Sequence, residues 1–134
     1  MCNVLYDRNN QLFKLADLGA AAVLDSPHGT ANERIGTNGF CAPEIMLGQA
    51  YGVAVDVYSL GALMFAIHTG SLPFLEKDEK AYARRLISEP FSTDGIELSN
   101  NLSDKAKNLL HGMLEKDPAK RLTIYEILEH PWLN

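Results

Sequence analysis

The feature that most constrains the fold is the apolar run "AVDVYSLGALMFAIHT" at residues 54–69. If the run is helical, apolar side chains fall on almost every face, and a helix tolerates that pattern only when other elements cover it on all sides. Asp56 and Ser59 interrupt the run, which is also shorter than the ~20 residues that cross a bilayer. We therefore predict a helix at the centre of a protein core, and no membrane span.

Further helices are predicted on both sides of this run. Pro43 suits the first turn of a short helix, and the charged segment 75–88 predicts a more exposed one. Ser103 is a candidate N-cap for a helix with one apolar stripe at i, i+3, i+4, i+7 and i+8: Ala106, Leu109, Leu110, Met113 and Leu114. Thr123 and Glu126 form the pattern of a capping box, which predicts the start of the last helix.

The first third of the chain has a different character. Residues 4–6 and 12–16 predict two short strands joined by the turn-forming "DRNNQ", with polar Asn3 and Asp17 at the outer ends of the hairpin. Residues 20–41 lack periodicity, and irregular segments longer than about 12 to 15 residues are usually functional or disordered. The alternative is an all-helical bundle with an irregular start.

Composition narrows the class of protein. The 134 residues suit one domain, and the formal charge of -5 leaves no basic surface for nucleic acid or an anionic membrane. The two cysteines, Cys2 and Cys41, form no CxxC motif, so we expect neither a cysteine-bound metal ion nor a disulfide. No charged-then-apolar leader opens the sequence, so we expect an intracellular, cytoplasmic protein.

Four motifs, taken in order, resemble the C-terminal lobe of a eukaryotic protein kinase of the serine/threonine type. "KLADLG" is similar to the family's D-F-G, and "GTNGFCAPE" to G-T-x-x-Y-x-A-P-E. "DVYSLG" resembles D-x-W-S-x-G, and "EKDPAKR" with "EHPWL" resembles the end of the lobe. Leu18, Phe40 and Tyr58 depart from the usual Phe, Tyr and Trp. The resemblance covers residues 1–134 and implies a mainly helical lobe with a short hairpin and an activation-type loop.

The resemblance also implies a nucleotide and metal site at the hairpin. Asp17 would bind Mg²⁺ and, through it, the phosphates of ATP, while Asn3 would bind a second metal ion. Gly19 would give this loop a permissive backbone. The alternative for Asp17 is a carboxylate that caps a turn, and an ordinary turn glycine fits position 19 equally well.

Other positions acquire roles in the same way. Thr37 would support the substrate-binding loop, although an ordinary turn threonine fits the same position. Glu44 and Arg121 would form a buried ion pair, whereas each alone would be taken for a surface charge. Asp56 would accept hydrogen bonds from the catalytic loop, with a helix cap as the alternative. Because many members of the family are phosphorylated in this segment, the resemblance also makes two hydroxyl groups candidate phosphorylation sites: Ser26 and Thr30.

The implied activity is transfer of the ATP γ-phosphoryl group to a serine or threonine hydroxyl of a protein substrate. The family's catalytic Asp would lie before Met1, so we expect the 134-residue chain to be inactive alone. The alternative is a catalytically dead, kinase-like module that binds partners. A regulatory protein on the helical lobe is compatible with both.

Overall fold

The computed structural model describes residues 3–74, 76, 78–93 and 102–134. Within them lie two strands and five α-helices: β1 (Val4–Asp7), β2 (Leu12–Leu15), α1 (Pro43–Met46), α2 (Ala54–Thr69), α3 (Glu79–Ser88), α4 (Asp104–Met113) and α5 (Ile124–Leu128). The mainly helical architecture with an N-terminal hairpin is as predicted. Cys2 lies outside the described residues, and none of the described helices is long and apolar enough to cross a membrane.

The two strands form an antiparallel hairpin in which Val4 pairs with Leu15 and Asp7 with Leu12. Asp7 shapes the turn, since its Oδ1 accepts hydrogen bonds from the main-chain N–H groups of Asn9 and Asn10. This Asx-type turn chemistry is the one expected for the polar "DRNNQ" connection.

Helix α2 forms the centre of the core, with Tyr58, Ala62 and Phe65 almost fully buried. Gly61 lies where α2 meets α4, and a Cβ atom at this position would come within 2.9 Å of the Met113 Cβ. The glycine therefore permits the close approach of the two central helices.

The prediction that α2 is buried on all sides was wrong. Leu60 is 43% exposed and Ile67 is 62% exposed, and Asp56 is also exposed. The described elements cover the faces of α2 that carry Tyr58, Ala62 and Phe65 and leave another face to solvent. Apolar composition shows how many faces a helix can bury, but not how many neighbours are present to bury them.

The helix starts follow the local signals. Ser103 Oγ accepts a hydrogen bond from the Ala106 N–H at 3.2 Å, and the whole predicted stripe of α4 is buried. Thr123 and Glu126 form both halves of the capping box. These caps satisfy N–H groups that have no partner inside the helix, so short-range sequence patterns determine where α4 and α5 begin.

Candidate functional site

The hairpin brings Asn3 and Asp17 to the same end of the molecule. The Ala16 N–H donates a 2.8 Å hydrogen bond to the Asn3 carbonyl, which continues the antiparallel pairing one step beyond Val4 and Leu15. Asn3 therefore lies opposite the residue that precedes Asp17, and both polar side chains are exposed.

Asp17 adopts a left-handed backbone conformation, with φ of 61° and ψ of 78°. Its Oδ1 accepts a hydrogen bond from the Gly19 N–H at 3.2 Å and so caps the 3-10 turn Leu18–Ala20. The turn-capping role is thus present. Because no other group in the described part of the chain donates to this carboxylate, Oδ2 remains available to a ligand.

Gly19 does not adopt the unusual backbone conformation of this loop, and its cofactor-binding role stays a prediction. The residue with positive φ in this loop is Asp17, and Gly19 lies outside the left-handed region. Instead, Gly19 leaves space, since a Cβ there would lie 3.1 Å from Asp17 Oδ1. Asp residues visit the left-handed region more readily than most, because their short side chains can bond to the local backbone.

The donor set at the hairpin end suits Mg²⁺ with a nucleotide. Mg²⁺ prefers hard oxygen ligands and is usually held by one or two protein groups together with water and phosphate oxygens. The Asp17 carboxylate and the Asn3 amide oxygen are ligands of this kind. The described residues contain no group of three or more His, Cys, Asp or Glu side chains that could hold a metal by themselves. Leu18, which separates Asp17 from Gly19 in the sequence, is 74% exposed to solvent.

The irregular segment at residues 21–42, here called the loop, is anchored at two places. Its middle pairs with Tyr51: Ala31 and Tyr51 exchange two main-chain hydrogen bonds, of 2.8 and 2.9 Å. Its end is held by side chains of the core, since Ser59 Oγ donates to the Phe40 carbonyl at 2.9 Å and the Tyr82 hydroxyl to the Cys41 carbonyl at 3.2 Å. These anchors were not predicted from the sequence, although the Ser59 hydroxyl within an apolar helix pattern was a signal for one of them.

Thr37 lies between the two anchors. It is exposed, and its carbonyl accepts a 3.1 Å hydrogen bond from the Phe40 N–H, so it closes a turn. No hydrogen bond joins Thr37 to Asn3 or Asp17 in the described chain. The candidate phosphorylation sites Ser26 and Thr30 are both exposed, earlier in the loop.

The loop and α1 line an open cavity of about 310 Å³. Its accessible lining is mostly polar, although several apolar side chains contribute to it: Arg34, Ile35, Gly36, Asn38, Cys41, Ile45 and Met46. Burial raises the pKa of the Cys41 thiol, and the positive charge of Arg34 opposes this only in part. Cys41 is therefore a neutral, free thiol at neutral pH.

Glu44 and Arg121 form the predicted ion pair at the base of the loop. The contact is bidentate, with Arg121 Nη1 at 2.6 Å from Glu44 Oε1 and Nη2 at 2.9 Å from Oε2. Both side chains are almost fully buried. The guanidinium also lies over the Tyr58 ring, with its Cζ 5.1 Å from the ring centroid. The pair thus fixes the end of the loop to the helical core.

Asp56 occupies the first turn of α2, where a negative charge favours the helix dipole. Its carboxylate is exposed and has no hydrogen-bond or ion-pair partner among the described residues. The cap position itself is Val53, without a side-chain bond, so Asp56 does not cap the helix.

Comparison with known proteins gives the context of these residues. The sequence profile of the family described as "Protein kinase domain" matches residues 1–133. A probable serine/threonine-protein kinase, HSL1, from Saccharomyces cerevisiae is 37% identical, covering 96% of this chain and 8% of the relative.

Two further relatives show the same coverage pattern. A calcium/calmodulin-dependent protein kinase, cmkA, from Emericella nidulans is 36% identical over 98% of this chain and 32% of the relative. Ribosomal protein S6 kinase alpha-3 from Homo sapiens is 35% identical over 98% of this chain and 18% of the relative. The chain thus spans a minor part of each relative's length, while nearly all of it is matched. On these grounds the chain belongs to the protein kinase family.

Proposed function

We propose that the protein containing this chain is a serine/threonine protein kinase that transfers the γ-phosphoryl group of ATP to a hydroxyl of a protein substrate. The observation that carries the proposal is the hairpin, which brings the exposed Asn3 and Asp17 to one end. The relatives named above as serine/threonine or calcium/calmodulin-dependent kinases support the same activity.

In this proposal, Asn3 and Asp17 hold Mg²⁺ against the nucleotide phosphates. The metal would neutralise phosphate charge, on which phosphoryl transfer depends more than on covalent chemistry. The hydrogen bond from the Gly19 N–H to Oδ1 orients the Asp17 carboxylate, and Oδ2 stays available to the metal. Thr37 and the anchored loop would position the protein substrate.

The chain alone should transfer phosphate negligibly. It contains no H-R-D motif to supply a catalytic base and no Gly-rich loop to cover the phosphates. Positioning and electrostatic stabilisation supply most of the rate of such reactions, so these residues do not suffice. We also propose an intracellular location, which the free Cys41 thiol supports.

The metal site can be tested on the chain itself with Mn²⁺, which takes the same oxygen ligands and broadens nearby NMR signals. In the presence of ATP, amide signals of residues 15–19 should broaden in the wild-type chain. Asp17→Asn removes the charge while keeping the side-chain shape, and it should abolish the broadening. Asp25→Asn, at another exposed carboxylate, should leave it unchanged. Equal broadening in the wild type and Asp17→Asn would contradict the proposed site.

Catalysis is tested on a longer protein that includes an upstream catalytic base. Transfer of labelled phosphate from ATP to a serine peptide should fall by a factor of at least about 100 in Asp17→Asn, since the ligand stabilises charge in the transition state. If a longer protein binds ATP with Mg²⁺ but transfers no phosphate, the kinase proposal fails and the non-catalytic module is supported instead.

A further inference from the structure

Tyr51 makes an unusual set of contacts with the loop. Besides its two main-chain hydrogen bonds to Ala31, its hydroxyl donates a 2.7 Å hydrogen bond to the Glu33 carbonyl. Three hydrogen bonds from one residue thus hold residues 31–33. The Glu33 acceptor is a main-chain atom, so the contact does not depend on the Glu33 side chain.

The held residues lead directly into the outer wall of the cavity. Arg34, Ile35 and Gly36 line it from the loop side. The Cys41 Sγ faces this wall: it lies 4.0 Å from the Ile35 carbonyl, and a Cβ on Gly36 would come within 2.4 Å of it. As a result, only 5% of Cys41 is exposed to solvent. The position of residues 34–36 therefore determines how far the thiol is covered.

The opposite wall is held independently of Tyr51. Ile45 and Met46 belong to α1, and the cavity end of the loop is bound to the core by Ser59 and Tyr82. The outer wall follows the residues that Tyr51 contacts, and the Tyr51 ring itself packs against the core. Local opening of such a segment costs less free energy than global unfolding. Loss of one hydrogen bond therefore changes the population of the locally open form measurably.

We propose that Tyr51 is a latch, a positioning residue whose hydroxyl fixes the outer wall of the cavity and so sets the shape of the surface offered to a protein substrate. The connection to substrate rests on the proposed kinase function. The latch itself is a property of the fold and can be measured without any catalytic activity.

The first test measures how fast iodoacetamide alkylates Cys41, in a chain whose second thiol is removed by Cys2→Ser. Tyr51→Phe keeps the ring and the main-chain pairing but removes the hydroxyl donor. Loss of one such hydrogen bond should raise the fraction of molecules in which residues 34–36 uncover the thiol about fivefold. The alkylation rate should rise by the same factor. Trypsin cleavage after Arg34 should accelerate by a similar factor, while cleavage after Arg8 in the hairpin should not.

Two controls separate the latch from general loosening. Tyr125→Phe also removes a phenol hydroxyl, but from a side chain that is 78% exposed, and should react at the parent rate. Glu33→Ala keeps the main-chain acceptor and should also leave the thiol covered. Thermal melting shows whether each variant folds. An unchanged alkylation rate in folded Tyr51→Phe, or equal acceleration in Tyr125→Phe, would overturn the latch.

The second test uses a longer, active kinase and a serine peptide selected from a positional library. Tyr51→Phe should raise KM for the peptide about fivefold and leave kcat and the KM for ATP unchanged. Thiol exposure without a change in peptide KM would overturn the positioning role alone. Absence of transfer to any peptide by the unmodified kinase would instead count against the proposed function.

Discussion

Two buried tyrosines with opposite hydrogen-bond status illustrate how single residues shape this core. Tyr82 donates its hydroxyl to the Cys41 carbonyl, whereas the Tyr58 hydroxyl has no hydrogen-bond partner among the described residues. Burial raises the pKa of both phenols above the ordinary range, that of Tyr82 to about 12. Both hydroxyls are therefore neutral donors at neutral pH, and only one of them is satisfied.

The two tyrosines should respond in opposite directions to loss of the hydroxyl. Tyr58→Phe removes an unsatisfied polar group while keeping the ring under Arg121, so it should raise the free energy of unfolding by about 1 kcal/mol. Tyr82→Phe leaves the Cys41 carbonyl without its donor, so it should lower the free energy of unfolding by about 1 kcal/mol. Urea unfolding of the two variants beside the wild type measures both changes. A loss of stability in Tyr58→Phe would show that its hydroxyl has a partner.

The residue scale is also where the sequence was least informative. The motif identified Asp17 and Gly19 together, but assigned the special backbone conformation to the glycine, whereas the aspartate adopts it. A sequence pattern indicates that a loop needs an unusual conformation without showing which residue takes it. Tyr51 was missed because its acceptor, the Glu33 carbonyl, carries no side-chain signal at all.

Among the elements, the hairpin should be sensitive to acid. Hydrogen bonds from Lys14 and then Asn10 lower the pKa of Asp7 from 3.8 to about 2. A carboxylate whose pKa is depressed by folding contributes stability above its unfolded pKa, and loses that contribution as the pH falls through the folded value. The hairpin should therefore loosen between about pH 4 and pH 2, as NMR signals of residues 9–14 would show. In Asp7→Asn these signals should not titrate in that range. Persistence of the same titration in Asp7→Asn would assign it to another group.

The helices differ in how well the sequence predicted them, and the range of the stabilising contacts explains why. The starts of α4 and α5 depend on caps within three residues, Ser103 with Ala106 and Thr123 with Glu126. The bounds of α2 were also predicted, at Ala54 and Thr69, but its exposure was not. Caps are local, whereas burial depends on which neighbours pack against a helix.

At the scale of the whole molecule, Arg121 joins segments far apart in the sequence. Besides Glu44 in α1, its guanidinium donates to the Ala54 carbonyl at the start of α2. It also donates to the carbonyls of Glu115 and Lys116, after the end of α4. The planar fork directs its N–H groups to all of these acceptors, which a lysine ammonium could not match. The resemblance predicted the ion pair, but not these carbonyl contacts.

Arg121→Ala should therefore lower the free energy of unfolding by about 3 to 5 kcal/mol, because it leaves the Glu44 carboxylate buried without its counter-charge. Arg121→Lys should also destabilise the chain, by a smaller amount, since it restores the charge but not the fork. The matched control is Arg85→Ala: Arg85 pairs with Glu89 and Glu76 at solvent-exposed positions, so its loss should cost no more than about 1 kcal/mol. Thermal and urea unfolding of the three variants give the comparison. Equal stability of Arg121→Ala and Arg85→Ala would mean that the buried pair does not hold the loop to the core.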